Sequence, residues 1–132
     1  MPDLEIGMKA TRSKTISAED VDAFARISGD MNPVHLDDQY AATTRFGRRI
    51  AHGMLTASVI SALLADDLPG PGSVYLSQTL SFKAPVYLGE TITATAELIA
   101  YRPERKIATF KTTCHNQDGK LVLDGEAVVL AP

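Results

Sequence analysis

"HGMLTASVISALLADDLPG", residues 52–70, decides how the rest of the chain must be arranged. Its apolar residues lie all round the helix that their spacing predicts, so that helix is buried on most sides. Gly53, Ala57, Ser61 and Ala65 recur within it at steps of four and form one face made only of small residues. A sheet or a ligand has to approach that face closely. Asp66-Asp67-Leu68-Pro69-Gly70 ends the helix and begins a loop.

From residue 73 the hydrophobic period changes to two. "SVYLSQTLSFKAPVYL", "ETITATAELIAYRP", "RKIATFKTTCHNQDG" and "KLVLDGEAVVLAP" are alternating or β-branched runs separated by turn residues. Gln117-Asp118-Gly119 predicts a hairpin turn, and Arg102-Pro103-Glu104-Arg105 another connection. With an early strand over Lys9 to Ile16, the count is about five. Such short connections join antiparallel strands. One buried helix and one sheet give an α+β fold whose economical form is a curved sheet wrapped around the helix.

Ahead of the long helix the chain reads as helix and loop. Ser17 is the expected N-cap of a helix carrying Val21, Phe24, Ala25 and Ile27, which Gly29 ends. A second short helix is predicted over Leu36 to Ala42, with Asn32-Pro33 forcing a bend between the two.

The 132 residues suffice for one domain with a real core, expected to cover 1–132. The composition, 45% hydrophobic and 22% charged, is that of a folded protein. A net charge of −3 offers no general attraction to nucleic acid or an anionic membrane. Residues 1–20 have no apolar signal-peptide core, and the apolar stretch Met54 to Ala65 is too short to span a bilayer. A single cysteine, Cys114, rules out an internal disulfide framework; the expected compartment is the cytoplasm. The basic cluster Arg45, Arg48 and Arg49 suits either a solvated loop or a phosphorylated ligand.

"SGDMNPVHLDD", residues 28–38, concentrates the candidate chemistry. A water held between the Asp30 carboxylate and the His35 imidazole can lose a proton to one while the other supplies a proton elsewhere. The plainer reading, with equal standing on spacing alone, has Asp30 and Asn32 capping the next turn while His35 packs. A metal site from Asp30, His35, Asp37 and Asp38 lacks any established ligand spacing. Gly53 opens the buried helix with an N–H that has no intrahelical acceptor and that no side chain covers. That N–H either polarises a carbonyl or simply marks a turn. His52 reads as a packing or capping residue.

Taken together, "SGDMNPVHLDDQYAATTRFGRRIAHGMLTASVISALLA" and "GSVYLSQTLSFKAPVYLGETITATAEL" resemble the MaoC-like hydratases of the hot-dog fold, most closely the short (R)-specific enoyl-CoA hydratases. The likeness runs over essentially the whole chain. It rests on a G-D-x-N-P-x-H segment followed by an H-G-M helix start. It implies a long central helix wrapped by an antiparallel sheet, a helical overhang and a homodimer joined sheet edge to sheet edge. It also implies reversible syn addition of water to trans-2-enoyl-CoA, giving (R)-3-hydroxyacyl-CoA, with no metal or redox cofactor. By this resemblance Asp30 and His35 form the catalytic pair, Gly53 N–H receives the thioester oxygen, and Asn32 and Ser61 support them.

The expected partner is thus an acyl-CoA thioester, and monomer supply for polyhydroxyalkanoate synthesis from β-oxidation is the implied context. Residues holding the coenzyme A phosphates are not identified by sequence. Two alternatives remain: dehydration of (R)-3-hydroxyacyl groups on acyl carrier protein, and a non-catalytic acyl-CoA-binding dimer. An acidic carrier would want a basic docking patch, which a slightly acidic chain does not favour. Hydrolysis on the same scaffold would want a carboxylate in the central helix, which carries none before Asp66.

Overall fold

Capping and turn chemistry set the elements of the first half. The computed structural model describes residues 3–132. Strand β1 spans Lys9–Thr15 and leads into helix α1, Ala18–Ser28. Ser17 Oγ accepts the Asp20 N–H at 3.1 Å, and the Asp20 carboxylate accepts the Ser17 N–H at 3.0 Å, closing a reciprocal cap. Gly29, at φ 80°, terminates α1 in the left-handed region that glycine enters without strain.

The helix expected over Leu36 to Ala42 is two: α2, Pro33–Leu36, and α3, Asp38–Ala42. Asp37 separates them in an extended conformation, and its carboxylate accepts the N–H groups of Gln39 and Tyr40. A side chain that caps a new helix so well ends the previous one. Helix α4 spans Gly53–Asp66.

The remaining strands are β2 Val74–Gln78, β3 Ser81–Phe82, β4 Thr91–Arg102, β5 Ile107–His115 and β6 Leu121–Leu130. Six strands form one sheet in the order β1-β4-β5-β6-β2, every pairing antiparallel, with β3 also on β6. The count exceeds the expected five because the run after residue 73 is broken at Thr79. There the chain crosses Gly125 of β6, and a Cβ at that glycine would run into the Thr79 backbone carbonyl. Thr79 and Glu126 hold the crossing by two hydrogen bonds of 2.9 Å, so the break is built rather than frayed.

Alternation on the sheet builds the concave face. Ile92, Ala94, Ala96 and Leu98 of β4 and Ala108, Phe110, Thr112 and Cys114 of β5 are all fully buried. Helix α4 packs against β4, β1 and β5 and buries Thr56, Ala57, Val59, Ile60, Leu63 and Leu64. Two alanines in the middle of β4 leave room for the helix to come close. Each fully buried Leu or Ile contributes about 1.5–3 kcal/mol, so this interface carries most of the stability. Arg12 of β1 reaches Asp66 at 3.1 Å and Asp67 at 3.6 Å, tying the far end of α4 to the sheet edge. Among the described residues, no helix is long and apolar enough to cross a membrane.

Candidate active site

The segment between α1 and α4 lies over the first turn of α4. Ala51 N–H donates to Val86 O at 2.7 Å, and Ile50 bridges Tyr87, which anchors the segment to the connection before β4. Asn32 Oδ1 accepts the Val34 N–H at 3.2 Å and so caps α2, with Pro33 in its first turn. The Asn32 N–H donates to Asp30 Oδ1 at 3.2 Å, and the Asp30 N–H to Ser28 Oγ at 3.0 Å. The capping expected of Asn32 is thus present, and the same turn holds the Asp30 carboxylate.

His35 projects from α2 and is 8% exposed. Its Nδ1 lies 2.8 Å from the Ile50 carbonyl oxygen. A carbonyl can only accept, so Nδ1 carries the proton and Nε2 keeps its lone pair. Burial holds the imidazole below its ordinary 6.5; the Ile50 bond opposes that shift, the nearby His52 adds to it, and Asp30 opposes it. The ring is thus a neutral base at physiological pH. A donor atom of Asp30 and one of His35 lie within 4.8 Å. A water making hydrogen bonds of about 2.8 Å to both would span about 4.5 Å, so the gap suits one bridging water.

Gly53 shares a cleft of about 510 Å³ with Asp30 and His35. Its N–H is the first of a 14-residue helix and stands at the positive end of the dipole. A Cβ on Gly53 would lie 2.6 Å from Phe82 Cε1, so any side chain there has to displace that ring. Arg45 and Lys83 also line the cleft.

A family model described as "MaoC like domain" matches residues 3–118. The chain belongs to the MaoC-like family. Among relatives, the (R)-specific enoyl-CoA hydratase of Aeromonas caviae is 53% identical over 129 residues, covering 98% of this chain and 96% of its own. That of Rhodospirillum rubrum is 51% identical over 130 residues, covering 98% and 90%. The solved (R)-hydratase from A. caviae, described as involved in PHA biosynthesis, superposes with a TM-score of 0.96 at 52% identity over the whole of both chains. The fold of this MaoC-like chain is accordingly the hot dog that the resemblance implied.

Not every residue singled out in the sequence reaches this cleft. Ser61 lines a second cavity of about 350 Å³ with Ala57, Tyr75 and Gln78, and Met54 borders both. Of the small face of α4, Ala57 and Ser61 thus look onto β2 and this cavity, whereas Gly53 borders the first cleft and Ala65 is exposed. Asp37 is spent on capping α3, and the three metal-capable groups that do cluster are Asp30, His35 and His52. The two imidazoles stack, with centroids 3.9 Å apart and planes 29° from parallel.

Arg49 turns inward from the basic cluster: its Nε donates to His35 O at 2.6 Å and its guanidinium meets Asp22 at 3.2 Å. Arg48 lies 3.9 Å over the Tyr87 ring. Sequence reading missed Arg49 as a brace of α2 and took His52 only for a packing or capping residue. The one available signal for His52 was its place directly before Gly53.

Proposed function

We propose that this protein is an (R)-specific enoyl-CoA hydratase, adding water reversibly to trans-2-enoyl-CoA to give (R)-3-hydroxyacyl-CoA. The observation that carries this is the closeness of the His35 imidazole and the Asp30 carboxylate, in one cleft with Gly53 at the start of α4. Identities of 51–53% over 98% of the chain to hydratases of this specificity support it.

In the proposed reaction the pair holds one water. Its oxygen bonds to C3 as a proton passes to the pair, and the C2–C3 π electrons move toward the thioester. The thioester oxygen gains negative charge against the Gly53 N–H, where a fixed donor stabilises the transition state more than the substrate. The pair then delivers a proton to C2, on the face from which the water came. One water is added, and the pair ends as it began. Asp30 and His35 exchange protons as a unit. The chemistry asks for position and electrostatics alone, so the proposal includes no metal or redox cofactor.

Loss of enoyl-thioester absorbance from crotonyl-CoA, with chiral analysis of the product, tests the assignment. Formation of (R)-3-hydroxybutyryl-CoA supports it. An inert protein that still binds the thioester would make it a binding module instead. Arg45 and Lys83 at the cleft are proposed to meet the coenzyme A phosphates. Faster turnover of crotonyl groups on acyl carrier protein than on coenzyme A would reassign the carrier. Ser61→Met is expected to shorten the longest acyl chain turned over; an unchanged profile removes Ser61 from the site. Production of polyhydroxyalkanoate monomers is the proposed context, refuted if deletion in a producing host leaves polymer yield from fatty acids unchanged.

The proposed active form is a homodimer. β2 is an open sheet edge on which Val74, Tyr75 and Leu76 are 53%, 40% and 52% exposed, a poor surface to leave in water. Light scattering should give about twice the 14.2 kDa of one chain, and a monomer would sink the idea.

A further inference from the structure

His52 is the buried titratable group that the proposed chemistry leaves unused. It is 2% exposed, and its Nε2 lies 3.0 Å from the backbone carbonyl oxygen of Asp30. That carbonyl can only accept, so Nε2 carries the proton and Nδ1 bears a lone pair. One face of the ring stacks on His35, and Phe24 of α1 packs tilted against it with centroids 4.8 Å apart. His52 is also the residue before Gly53, in extended backbone at φ −60°, ψ 136°. A single imidazole therefore touches α1, the loop bearing Asp30 and the ring of His35, and is joined covalently to the N–H donor of α4.

His52 Nδ1 is buried with no hydrogen-bond partner, as is Thr56 Oγ1 one turn along α4. A ring held by the bond at Nε2 and by contacts with two aromatic neighbours has a fixed tautomer and a fixed plane.

We propose that His52 is a positioning residue for hydration: it aims Asp30 through the backbone carbonyl, holds the plane of His35 by stacking, and registers both against Gly53. This rests on the hydratase reading, in which Asp30, His35 and Gly53 act on one substrate. A rigid link matters because a misplacement of about 1 Å among reacting groups costs on the order of 10²-fold in rate.

The charged and titratable groups facing His35 are Asp30 on the preceding loop, His52 at the start of α4 and Arg49, whose Nε holds the His35 carbonyl. Arg45 and Lys83 line the same cleft. Replacing His52 by a neutral residue leaves the other four in place and removes one influence that lowers the His35 pKa.

The test compares His52→Phe, which keeps a stacking face and loses the donor, with His52→Gln, which keeps an N–H donor and loses the ring. Leu63→Val serves as a destabilised control remote from the cleft. For both His52 variants kcat on crotonyl-CoA is expected to fall about 10–100-fold, with KM changed less than about threefold. The acid limb of kcat/KM should move to higher pH, while the control shifts only in Tm. The His35 ring resonances, followed by NMR through a pH titration, should move in the same direction. Variants that fold, turn over within about twofold of wild type and leave the His35 titration in place would overturn the proposal. If wild-type protein hydrates no thioester, the hydratase reading fails by itself. The NMR titration then still decides whether His52 governs His35.

Discussion

Replacing Gly53 by alanine should separate chemistry from folding. The new Cβ would lie 2.6 Å and 2.8 Å from two carbons of the Phe82 ring, against an ordinary contact of about 3.5 Å. Something must therefore move by about 1 Å. Phe82 is 54% exposed and has water to swing into, so the ring gives way before the helix does. Losing its remaining packing costs about 1 kcal/mol, roughly half the value of a fully buried Phe. Alanine in place of glycine returns up to about 1 kcal/mol in helix propensity. The two nearly cancel, and Tm should stay within about 4 °C of wild type. Turnover should not be spared. The N–H must sit within about 3 Å of the thioester oxygen, and a methyl beside it, with a displaced ring in the cleft, spoils that approach. The expected loss is about 10²-fold in kcat, with KM changed less than about threefold. Paired measurements of crotonyl-CoA hydration and thermal denaturation check this. A kcat within threefold of wild type would refute the role given to this N–H, and a Tm drop of 10 °C or more the claim that Phe82 yields cheaply.

Asp30→Asn should lower kcat about 10²–10⁴-fold while Tm barely moves, because the carboxylate is exposed and holds one backbone N–H; initial rates and a melting curve check both. His35 has a folded pKa below 6.5, so the unfolded chain binds its proton more readily. Its contribution to stability is therefore full above pH 6.5 and declines as pH falls toward the folded value, and kcat/KM should fall over the same acid range. Urea denaturation and rates measured from pH 7.5 to 5 would expose the opposite sign. Leu63→Ala, at a fully buried position of α4, should cost about 2–5 kcal/mol by urea titration; under 1 kcal/mol would mean the helix–sheet interface does not carry the core.

What was legible in the sequence were features set by near neighbours along the chain. The Ser17–Asp20 cap, the alternation from Ile92 to Leu98 and the all-round apolarity of residues 53–66 each encode their element locally, and the structure follows them. The splitting of the strand at Thr79 was not, because its cause, Gly125, lies 46 residues further on (125 − 79). Asp37 showed its charge but not that two N–H groups would claim it. The nearness of Asp30 and His35 could be posed from spacing but not decided, since the ring of His35 is held by the Ile50 carbonyl, 15 residues further on. His52 sits 22 residues after Asp30, and Arg49 looked like a surface cation until Asp22 and His35 met it. Contacts that depend on how α1, α2 and α4 converge leave no periodic trace.

The crossing of Thr79 over Gly125 bears on how a library of variants of this protein would be read. Gly53 and Gly125 are each glycine because another part of the chain occupies the space of a Cβ. At position 53 the occupant is a half-exposed ring that can swing aside, whereas at 125 it is a backbone carbonyl locked by two hydrogen bonds. Both sites would come out of a growth selection as intolerant and look alike in the counts. Scored by cellular abundance, the variants at 125 would vanish and those at 53 would persist as folded, inactive protein. The same residue type, immutable at two places, would thus report chemistry at one and assembly of the sheet at the other.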